Sequence, residues 1–190
     1  MNGTIFNTKL IYLWGGGGSG KSTLAAQIFA ELKVQGKETE LIREYIKDWA
    51  WRRTPPRSGF DQLYVFAKQV RAESTVFGKV EYAVAECPAL LCPIYEKTIF
   101  KTQITLPSAL AYYGHLRKIG VRVYNFLLER VPGSYSNNGR FGNTEEGVAH
   151  IDKQVKKFLD ENKIPYVTVG SAFGFRKNKV LSRILSNEKI

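Results

Sequence analysis

The 190-residue chain is short of the residues that build metal centres and disulfide frameworks, with two cysteines and two histidines. Cys87 and Cys92 stand five apart, each followed by a proline, which matches neither a zinc pattern nor a disulfide framework. Buried, reduced thiols are the expected reading in a cytosolic protein, and a redox pair is the alternative. His115 and His150 fall in unrelated segments, so no metal cluster can be assembled around them. Long apolar runs are also missing. The longest candidate, 83–94, carries Glu86 and two prolines and is too short for a bilayer. There is no internal repeat, low-complexity block or interdomain linker, so one domain over 1–190 is expected. The N-terminus lacks a basic region followed by a cleavable apolar core, which makes a cytoplasmic location the expectation. Acidic residues are in deficit, 17 against 28 Lys and Arg, for a net charge of +11. That imbalance favours a polyanionic partner. The basic residues are nevertheless spread along the chain, which also suits solvated helix faces.

What the chain does have is glycine in one place. Residues 15–22 read Gly-Gly-Gly-Gly-Ser-Gly-Lys-Ser, matching G-x-x-x-x-G-K-[ST], the loop that cradles nucleoside triphosphates. Glycines Gly15, Gly16, Gly17, Gly18 and Gly20 allow backbone N–H groups to converge on phosphate oxygens, with Ser19 and Thr23 completing the cradle. Lys21 adds a point charge at the β- and γ-phosphates, and Ser22 offers a hydroxyl to Mg²⁺. The flanks agree. Leu10–Trp14 reads as a buried strand, and Leu24, Ala25, Ile28 and Leu32 recur at helical spacing.

Further along, strands are expected at 39–44, 80–85, 121–128 and 167–169. Helices are expected from Phe60 to a stop at Gly78, over 105–119, from a cap at Asn143 with Glu146, and near the C-terminus around Val180 and Ile184. Alternating strands and helices predict an α/β fold: a P-loop NTPase, three-layered, around a parallel sheet of about five strands. Ligand groups then gather beyond the carboxyl ends of the strands. Two of those ends carry Glu44 and Glu86. Phosphoryl transfer needs a positioned Mg²⁺ and an oriented acceptor hydroxyl. Glu86, after a buried strand, suits the metal, with a solvated strand end as its alternative. Arg130 and Arg140 flank a polar loop near 130–143 that suits a mobile lid, where an arginine would stabilise transferred charge. On the long helix, Gln62 and Arg71 can read a base edge or simply be solvated. Residues 171–174 are candidates to contact adenine.

Together with the P-loop, the stretches Arg43-Glu44-Tyr45-Ile46-Lys47-Asp48-Trp49-Ala50-Trp51, Phe60-Asp61-Gln62, Ala85-Glu86-Cys87-Pro88 and Gly139-Arg140 resemble small P-loop kinases of tailed bacteriophages. These are thymidylate-kinase-like proteins, distantly similar to nicotinamide-riboside kinases. The spacing of Glu44 and Trp49 is similar to that of deoxynucleoside kinases, which implies Glu44 as the acceptor-side base beside an aromatic pocket wall. The tryptophans have core packing as their other reading. One phage branch phosphorylates 5-hydroxymethyluracil inside DNA. That resemblance implies an ATP- and Mg²⁺-dependent DNA kinase in the host cytoplasm, with Trp49, Trp51 and Arg52 toward the base. A free nucleoside or nucleoside-monophosphate kinase, and an ATP-driven switch, are the alternatives. The chain departs from the family pattern at Glu86, where aspartate is usual, and in having a glycine where the loop often has proline.

Overall fold

A computed structural model describes residues 5–52, 54–131, 144–170 and 172–186. Arg140, Asn143 and Ser171 therefore lie outside the described residues. Five strands form one parallel sheet in the order β2-β3-β1-β4-β5: β1 (Lys9–Trp14), β2 (Thr39–Ile42), β3 (Tyr82–Ala85), β4 (Arg122–Leu128) and β5 (Val167–Val169). The helices are α1 (Lys21–Val34), α2 (Ile46–Trp51), α3 (Gly59–Ser74), α4 (Leu91–Tyr95), α5 (Leu106–Lys118), α6 (Glu145–Glu161) and α7 (Phe173–Leu185). A single π-helical turn, Glu96–Phe100, follows α4. No described helix is long and apolar enough to cross a membrane.

The central strand is apolar throughout because both of its faces are covered, as parallel sheets require. Leu10, Tyr12 and Trp14 point into one core with Val65, Phe66, Leu116, Val155 and Phe158, so α3, α5 and α6 cover that face. Ile11 and Leu13 point the other way, onto Leu24 and Ile28 of α1 and Val180 and Ile184 of α7. Burying each such Leu or Ile contributes about 1.5–3 kcal/mol, which anchors α1 and therefore the loop ahead of it. Trp14 also carries a polar tie: its indole N–H donates to Asn125 Oδ1 at 3.0 Å, linking β1 to β4.

The expected strands and long helices are present, with shifted ends. β2 stops at Ile42, so Glu44 lies two residues beyond the strand and not at its end. The third strand begins at Tyr82, two residues later than expected. α3 closes at Ser74 before the left-handed Gly78 (φ 75°). The cap of α6 belongs to Thr144, whose hydroxyl accepts the Gly147 amide at 3.0 Å. Two short helices and the π-turn were not expected. α4 and the π-turn carry no long apolar period, and α2 is six residues of mixed aromatic and charged character.

Register aligns the site. Tyr12 pairs with Ala85 and Ile42 with the same Ala85, so the P-loop, Glu86 and Glu44 leave three adjacent strands at one level. The crossover that skips from β1 to β2, around β3, opens the crevice in which ligands of such sheets bind.

Candidate active site

The loop after β1 needs glycine for identifiable reasons. Gly20 caps α1 in the left-handed region (φ 90°), and a Cβ there would lie 2.8 Å from both Arg176 Nη1 and Phe173 Cε1. At Gly15 (φ 146°) a Cβ would lie 2.7 Å from Ser19 Oγ. α1 starts with no side-chain cap and no acid of its own in its first turn, so its leading amides and dipole are open to the crevice. That is the requirement for binding phosphate. Lys21 is buried, its ammonium folded over the loop and donating to the Gly15 and Gly16 carbonyls at 2.8 Å each.

Ser22 Oγ donates to Glu86 Oε2 at 3.2 Å, so the structure brings the two expected metal residues together across β1 and β3. The Lys47 ammonium lies between them, 2.5 Å from each oxygen. A cation already seated there shows that the oxygens suit one. These two oxygens would form the protein's share of a Mg²⁺ shell, since Mg²⁺ keeps waters and takes further ligands from phosphates.

Glu44 Oε2 lies 4.0 Å from Lys47 Nζ. Its carboxylate faces the floor of the crevice, where burial and then the Glu44 charge push the Cys87 thiol and the Tyr95 phenol up. Both cysteines are free and buried, and both thiols line the crevice wall. The crevice has a volume of about 810 Å³ and runs from the loop glycines past Glu44 to Val65, Leu91, Ile99 and Phe100. Such a volume accommodates a nucleotide with an acceptor. Gln62 and Gln69 line it and are buried, whereas a solvated position was open for Gln62 from the sequence. Gln69 accepts the Tyr45 amide at 3.0 Å.

The expected substrate residues separate. Trp51 is 64% exposed and forms part of the crevice wall. Trp49 does not line the crevice; it packs against the core and against Tyr64, with ring centroids 6.0 Å apart. Arg52 and Arg71 are exposed and also lie off the crevice lining. The physical reason is helical phase: α2 turns Trp51 and Trp49 to different sides, and Arg71 sits in the last turn of α3, away from the strand ends.

Arg130 is drawn to the flank of the loop. Its Nε donates to Asp152 Oδ2 at 2.7 Å, and Asp152 Oδ1 accepts the Gly16 amide at 2.6 Å. Both terminal nitrogens of Arg130 are buried with no hydrogen-bond partner among the described residues, so they offer donors to an anion. Phe173 lines the crevice, and the Arg176 guanidinium stacks 4.5 Å from its ring centroid. Arg176, 1% exposed, donates to the carbonyls of Ser19 and Gly170 at 2.8 Å each and to that of Glu129. Sequence reading did not single out Lys47, Tyr95, Asp152 or Arg176. Only the three-residue spacing of Lys47 from Glu44 carried a local signal.

No protein-family model and no curated protein matches the chain. Solved structures do. Deoxyadenosine kinase from M. mycoides with dCMP and dCDP bound is similar at a TM-score of 0.58 and 15% identity, over 94% of this chain and 99% of that one. NadR in complex with NR is similar at a TM-score of 0.68 and 12% identity, over 96% of this chain and 52% of that one. At these identities the likeness establishes the fold. The chain has the α/β fold of P-loop NTPases, a five-stranded parallel sheet flanked by helices.

Proposed function

We propose that the chain is an ATP-dependent kinase acting on a hydroxyl acceptor, formed as one domain over 1–190 with a lid near 130–143. One observation carries this reading: the uncapped start of α1, with Lys21 and Ser22, and the Glu44 carboxylate line one crevice. The loop amides and Lys21 bind and neutralise the phosphates. Ser22 and Glu86 would hold Mg²⁺, which would supply further charge neutralisation on the phosphates. Glu44 accepts the acceptor hydroxyl proton as its oxygen bonds to the γ-phosphorus and the bond to ADP breaks. Arg130, and Arg140 in the lid, offer donors to the phosphoryl oxygens. The solved structures with a similar fold, named as kinases or bound to nucleotide analogues, support this class.

The acceptor we favour is the hydroxymethyl group of 5-hydroxymethyluracil in phage DNA. Three features support it: the family resemblance, the net charge of +11, and Trp51 standing exposed where a flipped base would enter. Arg52 beside it faces solvent and suits a DNA phosphate, as does Arg71 more remotely. A free nucleoside or nucleoside monophosphate is the second reading, favoured by the buried Gln62 and Gln69 on the crevice wall. Labelled ATP, offered with hydroxymethyluracil duplex or the matching mononucleotide, separates them. Label in DNA is expected; label only in the mononucleotide refutes the DNA acceptor, and phosphate release without a labelled acceptor refutes the kinase.

A further inference from the structure

Lys47 sits in the first turn of α2 and holds the one cation that meets both Glu44 and Glu86 among the described residues. Its ammonium is 2.5 Å from Ser22 Oγ, 2.5 Å from Glu86 Oε2 and 4.0 Å from Glu44 Oε2. The Glu86 side chain is 8% exposed, so an unpaired charge on it would be costly. Lys21 does not provide that pairing, because its ammonium is spent on the Gly15 and Gly16 carbonyls.

We propose that Lys47 is a resident counter-ion, occupying the divalent-cation position of the nucleotide-free site and leaving it when metal-bound nucleotide enters. This rests on the ATP reading above. An ammonium and a divalent ion cannot share the same two oxygens, since their contact distances overlap and their charges repel. The lysine stem is flexible, and the Glu44 carboxylate offers the displaced ammonium its next partner. Two consequences follow from the one geometry. Lys47 keeps Glu86 paired when no metal is present, and it competes with bare divalent ions until nucleotide phosphates add their negative charge. Metal and nucleotide therefore enter together.

The test is Mn²⁺ binding followed by electron paramagnetic resonance, with and without a non-hydrolysable ATP analogue. Wild type is compared with Lys47→Met, Lys47→Gln and Lys47→Arg. Removing the ammonium should tighten nucleotide-free Mn²⁺ binding by roughly tenfold or more, as expected for deleting a competing charge in close contact. The same neutral variants should melt at lower temperature without metal and regain that loss on adding Mn²⁺. Lys47→Arg should stay close to wild type in both measurements. Glu86→Gln should abolish the gain in the neutral variants. Lys47→Gln keeps a hydrogen bond to Ser22 within reach, so it serves if Lys47→Met fails to fold. Equal Mn²⁺ affinity in wild type and a folded neutral variant overturns the proposal. Failure of wild type to take up the ATP analogue in calorimetry overturns the ATP reading itself, and with it this inference.

Discussion

Replacing Glu73 by Gln should remove a pH-dependent loss of stability that lies beneath the site. Glu73, on α3, is 0% exposed and accepts from Tyr12 at 2.5 Å, Tyr112 at 2.7 Å and the Ala89 amide at 2.9 Å. Burial outweighs these donors and pushes its carboxyl from 4.5 up to about 7. The folded protein thus holds a proton that the unfolded chain has already released between those two values. Stability then falls as pH rises through this window, and the loss is complete above the folded value. At about 1.4 kcal/mol per pH unit, the whole window corresponds to roughly 3 kcal/mol. The facing groups do not interfere, because burial keeps Tyr12, Tyr112 and Cys92 neutral there by pushing each of them up. Urea unfolding of wild type and Glu73→Gln at pH 5 and pH 8 isolates the contribution of this carboxyl, since other carboxyl titrations cancel between the two proteins. Wild type should lose about 2–3 kcal/mol relative to the variant over that range. A difference constant to within about 0.5 kcal/mol would refute the assignment of Glu73 as the buried acid that titrates.

Glu44→Gln should leave ATP affinity intact in calorimetry and slow phosphoryl transfer by about 10²–10⁴-fold; unchanged turnover would remove it from the base role. Trp51→Ala should weaken acceptor binding without changing the melting temperature by more than a degree or so, because the ring is 64% exposed. Trp49→Ala should do the reverse, lowering stability by about 1–3 kcal/mol with acceptor KM retained, since its ring packs on Tyr64 and the core. Arg176→Met should cost about 2–4 kcal/mol and weaken nucleotide binding, as it strips donors from the carbonyls of Ser19, Glu129 and Gly170. Wild-type denaturation and nucleotide affinity after that change would contradict a load on the loop.

The elements that sequence alone decided are those whose physics is local. The glycine loop, the apolar β1, the buried stripe of α6 and the start of α1 each follow from residues within one or two turns of each other. The left-handed Gly20 and the uncapped helix start are written in the octapeptide itself. Glu86 was legible because it ends a continuous apolar run. The remainder of the site joins residues far apart in the chain: Lys47 onto Ser22 and Glu86, Asp152 onto the Gly16 amide, Arg176 onto Ser19, and Gln69 onto the crevice wall. Charge and hydrogen bonding act through space, so these partners were settled only when parallel pairing set three strand ends side by side. Helical phase then decided which tryptophan reaches the crevice, a matter of rotation about α2 that composition does not carry.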